Sequence, residues 1–328
     1  MSFQIFRLSI SAKGGISLQE ACRQCLTTNG IPEAELSNSK VRRLVIAGMA
    51  SINGIQERQP ARRMKAGDLV AVKFDSSRFF REKQPDDIDF EMTQDRILFE
   101  DSSIIVVNKP ACFPTEATIV ADRKHLHAAV KEFLHRRDNT RNEPYAGLHH
   151  RLDRETSGVI LFSKTREVNP AIHALFLEQR IHKVYTALTV VPVRACAYET
   201  QDRFVLSNNI DRITPKSSAG KWGVVQTGGD PAVTDFVVRN RRSCYLEVQA
   251  SPLTGRTHQI RVHLSSVGLP LLGDVLYGGP KQSQGIPFDI TRTMLHAETL
   301  SFPHPLTGEL IEVTAPIPPD MQKILDLQ

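Results

Sequence analysis

No stretch of about 18 consecutive apolar residues occurs anywhere in the chain, which removes the usual membrane-spanning helix. The opening MSFQIFRLSISAKGG has no basic region leading into an apolar one, so no secretory signal is expected and the cytoplasm is the expected compartment. Cysteine is sparse: Cys22, Cys25, Cys112, Cys196 and Cys244 form an odd, scattered set that suits reduced thiols better than a disulfide framework. Cys22-x-x-Cys25 has no second pair at zinc-finger spacing, and His258 and His263, five apart, fall on different faces of a strand or helix, so no metal site is expected. Neither G-x-x-x-x-G-K-S/T nor G-x-G-x-x-G appears, and with them go the common phosphate cradles of nucleotide cofactors. Periodic repeats and long low-complexity tracts are missing too.

What the chain does have is length and an uneven charge. With 328 residues, 41% of them hydrophobic, it can bury a substantial core and form two domains. Residues 1–75 carry 11 Lys or Arg against 6 Asp or Glu, a surplus of +5 that equals the net charge of the whole protein. A basic surplus confined to one module is the footprint of a phosphate-contacting partner, with a solvated basic face as the alternative.

That first quarter also has a scaffold. Ser17 followed three residues later by Glu20 reads as a capping box opening a helix through Cys22 and Leu26 that stops near Gly30. From Ser39 to Ala47, Val41, Leu44 and Val45 fall at helical spacing while Lys40, Arg42 and Arg43 point elsewhere, and Gly48 ends the helix. Asn53-Gly54 signals a tight hairpin, followed by Arg62, Arg63 and Lys65 and the β-prone run Leu69 to Phe74. This order, over SNSKVRRLVIAGMASINGIQERQPARRMKAGDLVAVK, resembles the S-four-like RNA-binding module, best from about Ser37 to Lys73. The resemblance implies that Lys40, Arg42, Arg43, Arg62, Arg63 and Lys65 contribute to docking structured RNA through shape and phosphates.

Residues 76–95 are charged and aperiodic and read as a linker, leaving 96–328 as a second domain. There, ILFEDSSIIVVNKP reads as two strands around a turn at Asp101 to Ser103, and HLHAAVKEFLHRR as a helix. Asn169 and Pro170 read as the cap and first residue of another helix. Strands follow around Val184 to Val190, Phe236 to Val238 and Tyr245 to Gln249, and KSSAGKWGVVQTGGD reads as a surface loop or irregular hairpin. Thr257 is placed to cap a helix whose Ile260, Leu264 and Val267 face inward, with Arg256, His258, Gln259 and Arg261 near its start. Strands joined locally, with helices packed against them, make an α+β fold.

One stretch stands out chemically. In HRLDRETSGVILFSKT, Asp153 sits in a polar turn between Arg151 and Arg154, and Thr156, Ser157 and Gly158 launch the apolar strand Val159 to Phe162. A carboxylate held ionised at a strand start serves either as a nucleophile or as half of an ion pair.

The ordered set LFEDSSIIVVNKPA, HRLDRETSG, KVYTALT, TGRTHQIRVHL, GDVLYGG and LHAETLSFPHPLTGE resembles the RluA-type pseudouridine synthase family over roughly residues 96–318. The resemblance implies a mixed, mostly antiparallel sheet with flanking helices and a central cleft, preceded here by a small α+β RNA-binding module. It implies a cofactor-free isomerisation of uridine to pseudouridine in folded RNA, with the target base flipped into the cleft. Asp153 matches the family's catalytic aspartate, Tyr185 the tyrosine that stacks on the flipped uracil or also assists proton removal, and Arg261 the arginine paired with the aspartate. Arg151 matches the arginine that enters the RNA where the base was displaced, Arg256 is a further RNA contact, and Lys109, Pro110 and Ile260 shape the cleft.

Three positions depart from the family pattern: Cys112 stands where glycine is usual, Pro114-Thr115 replaces His-Pro, and Leu269 replaces a histidine. None touches the aspartate, tyrosine or arginine, so they bear on the RNA target. Ribosomal RNA of the large subunit is the expected target, with transfer RNA as the alternative. A non-catalytic RNA-binding or assembly protein is the competing class. A monomer with no membrane attachment is expected.

Overall fold

A computed structural model of the chain describes residues 4–10, 15–33, 36–74, 87–117, 123–192, 200–215 and 220–327. Cys196, residues 76–86 of the expected linker and residues 216–219 of the expected loop lie outside the described residues. The chain divides into two compact units, the second beginning at Asp87.

In the first unit, strand β1 (Gln4–Ser9) precedes helices α1 (Leu18–Thr28) and α2 (Asn38–Ile46) and strands β2 (Ala50–Ile52), β3 (Ile55–Glu57) and β4 (Leu69–Phe74). The strands form an antiparallel sheet in the order β1-β4-β2-β3. The expected N-cap of α1 forms, with the Glu20 amide donating to Ser17 Oγ at 3.2 Å. Helix α2 starts one residue earlier than expected because Ser37 caps it, accepting from the Lys40 amide at 3.3 Å. Val41, Leu44 and Val45 are buried with Leu26, Val70, Val72 and Phe74 in a core of the unit's own residues. Cys22 and Cys25 are buried in that core, and burial pushes their thiols up to about 12 and about 11, keeping them protonated.

The second unit is built on an eleven-stranded sheet. Its elements in chain order are β5 (Ile97–Glu100), β6 (Ile104–Lys109), α3 (Leu126–Asp138), β7 (Gly147–Leu148), β8 (Ser157–Ser163), α4 (Asn169–Leu177), β9 (His182–Thr189) and β10 (Arg203–Arg212). Then come β11 (Trp222–Val225), β12 (Asp230–Arg241), β13 (Leu246–Pro252), α5 (Gln259–Ser266), β14 (Leu295–Pro303), β15 (Leu310–Thr314) and α6 (Pro319–Leu325). The sheet runs β11-β10-β12-β13-β9-β14-β8-β6-β5, with β7 on β8 and β15 on β14. Every pairing is antiparallel but one: β8 and β14 run parallel through His296 opposite Ser157 and Ala297 opposite Gly158.

That junction lies at the centre of the unit and is packed on both sides. Alternate residues of β6 and β8 serve opposite faces: Ile105, Val107, Ile160 and Phe162 pack with Leu126, Val130 and Leu134 of α3, whereas Ile104, Val106, Val159 and Leu161 pack with Ile172 and Leu175 of α4. Burial on both faces is why HRLDRETSG opens into an uninterrupted apolar run. Gly158 is required here: its φ is +115°, and a Cβ would come 2.1 Å from the Ala297 carbonyl oxygen.

Three expectations are corrected and a fourth is narrowed. Residues 87–95 are not linker, because Asp87 receives Nε–H bonds from Arg123 and Arg154, each at 2.5 Å, and Met92 is buried in the second unit's core. Of the two readings of KSSAGKWGVVQTGGD, the surface loop is ruled out and the irregular hairpin stands: β11 pairs antiparallel with β10, and the chain turns into β12 through Gly228 and Gly229, both at positive φ. Asn169 is the first residue of α4 rather than its cap; its side chain accepts from Ser163 Oγ at 2.7 Å and donates to Tyr145 Oη at 2.6 Å. Thr257 is exposed and does not cap α5; His258 occupies the cap position in the left-handed region, φ 57°, with no side-chain cap.

Candidate active site

The turn at residues 152–155 is tied down residue by residue before β8 begins. Thr115 Oγ1 donates to the Leu152 carbonyl at 2.8 Å and accepts from the Leu152 amide at 3.3 Å. The Lys109 ammonium is buried and donates to the carbonyls of Pro110, Phe113 and Arg154 at 2.8, 2.7 and 3.0 Å. Burial pushes it down to about 7 while the Asp153 carboxylate opposes the shift. Arg292, also buried, donates to the Glu155 carbonyl at 3.2 Å, and Thr293 binds the Glu155 carboxylate through its amide and hydroxyl at 2.9 and 2.7 Å. Lys109 and Pro110 therefore act on the cleft from behind, by fixing this turn.

Asp153 emerges from the clamped turn with its side chain 22% exposed and meets Arg261, whose Nη1 donates to Oδ2 at 2.9 Å. Arg261 comes from α5 and is itself held from the far side. Asp274 binds it in a two-pronged pair, Nε to Oδ2 at 2.7 Å and Nη2 to Oδ1 at 2.9 Å, and the Tyr277 ring lies 5.0 Å beneath its guanidinium. Burial alone would lower the Arg261 guanidinium, but the Asp274 and Asp153 carboxylates overcome it and leave it above its ordinary value. The two arginines adjacent in sequence do not serve Asp153: Arg151 pairs with Glu116 at 2.9 Å and Arg154 with Asp87 at 2.5 Å.

Asp153 and Arg261 line a cleft of about 700 Å³, together with Tyr185, Ile260, Arg151 and Arg256. Tyr185 lies on β9 directly between Ala250 of β13 and Ala297 of β14. Residues opposite one another in register share a face of the sheet, so the ring is flanked by two small side chains that leave room beside it. Burial and then the Asp153 carboxylate push the phenol upward, so it is neutral at ordinary pH. Ile260 is buried beneath the cleft, whereas Arg151 and Arg256 are exposed at its rim.

Three expected residues, Asp153, Tyr185 and Arg261, thus meet in one cleft although they are drawn from positions far apart in the chain. The basic residues of the first unit form a separate set, with Arg42, Arg43, Arg62, Arg63 and Lys65 exposed and Lys40 half-buried. Sequence reasoning gave no role to Asp274, Tyr277, Arg292 or Thr115. The first two lie within the quoted motif GDVLYGG, which was the available signal; Arg292 carried none.

The cleft matches a known family. Residues 103–266, half of the chain, match the family described as RNA pseudouridylate synthase. The chain belongs to the RNA pseudouridylate synthase family. It is an isomerase of the RluA type. The "Ribosomal large subunit pseudouridine synthase D" of Xanthomonas campestris pv. campestris is 31% identical over 303 residues, covering 89% of this chain and 84% of that protein. The "Ribosomal large subunit pseudouridine synthase C" of Pasteurella multocida is 36% identical over 235 residues, covering 70% of this chain and 67% of its own. Among solved structures, "Human RNA Pseudouridylate Synthase Domain Containing 4" superposes with a TM-score of 0.56 at 25% identity, covering 70% of this chain and 91% of that one. Cys112, expected above as a departure from glycine, sits at φ 56° in the left-handed region that favours glycine. The Pro114-Thr115 departure supplies the hydroxyl that holds Leu152.

Proposed function

We propose that this protein converts uridine to pseudouridine in large-subunit ribosomal RNA, with Asp153 as the group that attacks the flipped nucleotide. The observation that carries the reading is the Asp153–Arg261 pair, backed by buried Asp274, in a cleft large enough for a nucleotide. In the reaction the bond from ribose C1′ to base N1 breaks, the base turns, C5 bonds to C1′, and the C5 proton is lost as N1 gains one. Nothing is consumed, and the residues of the chain need only hold a carboxylate beside a sugar that develops positive charge. Arg261 orients that carboxylate through its Nη1 hydrogen bond. Tyr185 stacks on the uracil; its raised phenol makes it a poor base in the ground state, which favours the stacking role.

Flipping the base costs a few kcal/mol, and RNA binding elsewhere on the protein offsets it. The first unit, S-four-like in its sequence, contributes through Lys40, Arg42, Arg43, Arg62, Arg63 and Lys65, and Arg151 and Arg256 contact RNA at the rim of the cleft. The ribosomal target rests on the names of the relatives, synthases C and D of the large subunit. A cytoplasmic monomer is the setting that goes with it; among the described residues no helix is long and apolar enough to cross a membrane.

The decisive test is Asp153→Asn, assayed by chemical mapping of pseudouridine in total RNA with and without the protein. Pseudouridine formation is expected to vanish while RNA affinity stays within about twofold, because only charge is removed from a contact with the reacting sugar. Retained activity in this variant sinks the assignment. Loss of modification at transfer RNA positions alone moves the target to transfer RNA.

A further inference from the structure

Among the described residues, the contacts of the Asp153 carboxylate fall on a single oxygen, Oδ2. Arg261 Nη1 reaches it at 2.9 Å, and His258 Nε2 stands 3.7 Å from the same atom. Oδ1 has no hydrogen-bond partner among the described residues. A single N–H bond from Arg261 leaves the carboxylate free to rotate about its Cβ–Cγ bond. A second donor on the same oxygen, from a different direction, fixes the plane and therefore where Oδ1 points.

His258 is arranged to be that donor. Tyr277 Oη accepts a hydrogen bond from the Trp222 amide at 3.0 Å, so its own proton is left for His258 Nδ1, 2.8 Å away. With Nδ1 accepting, the proton of a neutral imidazole sits on Nε2, the atom that faces Asp153. Burial holds the ring below its ordinary value despite the Asp153 carboxylate, consistent with a neutral donor. The ring is wedged between Trp222 and Tyr277, centroids at 4.9 and 5.6 Å, edge-on to both. His258 also occupies the left-handed region, φ 57°, at the start of α5. A non-glycine residue strained in this way beside a reacting group is a mark of function rather than packing.

We propose that His258 is a positioning residue for the isomerisation: held by Tyr277, it joins Arg261 on Asp153 Oδ2 and so presents Oδ1 to the sugar. The inference rests on Asp153 being the attacking group. The 3.7 Å separation shortens to a hydrogen bond when the nucleotide fills the cleft, since catalytic contacts are often long in the empty enzyme.

The test is a substitution series on the full chain, His258→Ala, →Asn and →Gln, read as kcat and KM on an RNA substrate with RNA affinity measured in parallel. Glutamine places its amide N–H where Nε2 stood; asparagine mimics Nδ1 and tolerates the left-handed backbone better than glutamine does. The expected order is kcat at least tenfold lower for Ala and Asn, and within about threefold of wild type for Gln, with KM and affinity within twofold throughout. A role in backbone shape alone gives the opposite order, Asn above Gln, and overturns the proposal. So does an Ala variant with undiminished kcat, or a loss confined to KM. Tyr277→Phe keeps the ring under Arg261 and removes only the hydroxyl; a three- to tenfold lower kcat is expected, and an unchanged one overturns the proposal even where a His258 variant fails to fold. An inactive Asp153→Asn with a flat His258 series defeats this inference alone, whereas an active Asp153→Asn defeats the reading beneath it.

Discussion

Asp153 and Arg261 show how little of a residue's role is set by its sequence neighbours. Two arginines flank Asp153 in the chain, yet each turns away to another acid, and the cation that reaches it lies 108 residues further on. Gly158 is the opposite case, a residue whose role is read from its own backbone. Because φ is +115° and the Ala297 carbonyl occupies the space of a Cβ, Gly158→Ala must push β8 and β14 apart. We expect that substitution to cost about 3 kcal/mol, the sum of a strained φ and a backbone clash in a packed core, and to lower activity because Asp153 lies in the turn that leads directly into this strand. Urea unfolding checks the first; wild-type stability in the variant would contradict the close approach.

At the scale of elements, the catalytic turn is not held by its own strand but by donors arriving from three other segments. Lys109 ends β6, Thr115 follows it in the next loop, and Arg292 precedes β14, and their side chains satisfy the carbonyls of Arg154, Leu152 and Glu155. Lys109 joins the turn to the segment after β6, its three protons donating to the Arg154 carbonyl and to those of Pro110 and Phe113. Lys109→Met preserves the apolar stem and removes the donors, leaving the Pro110 and Phe113 carbonyls unpaired, while the Arg154 carbonyl keeps only its bond from the Phe113 amide. A stability loss of about 3 kcal/mol is expected from unsatisfied buried groups. Single-turnover rate should fall at least tenfold with RNA affinity little changed, since the turn then presents Asp153 loosely. A variant that loses affinity but keeps its rate would place Lys109 in RNA binding instead.

At the scale of the whole molecule, charge and chemistry are divided between two units, each with its own core. A chain beginning at Asp87 keeps the carboxylate that binds Arg123 and Arg154, whereas one beginning at residue 96 loses it and leaves Arg154, next to Asp153, without that partner. Comparison of the full chain with the Asp87 truncation should therefore isolate RNA docking. We expect weaker RNA binding and a dependence of log affinity on log salt that is shallower by about 3, for loss of several phosphate contacts. The residual isomerase activity of the truncation should appear as a raised KM. Identical salt slopes for the two proteins would remove the basic unit from docking.

The sequence by itself determined the local elements and the reaction class. Periodicity and caps placed α1, α2 and α3, and the apolar run after Gly158 announced a strand, because these signals are written in neighbouring residues. Motif order brought Asp153, Tyr185 and Arg261 together on paper through family resemblance, but composition and spacing alone left Asp153 open between catalyst and ion pair. Only the tertiary structure decided which cation it meets, that Asp274 and Tyr277 stand behind that cation, and that His258 approaches the same oxygen. It also moved the boundary of the second unit to Asp87 and decided between loop and hairpin by pairing β11 with β10. The physical reason is common to all of these: each depends on contacts between segments far apart in the chain, made where the parallel β8–β14 junction and the start of α5 converge on one cleft.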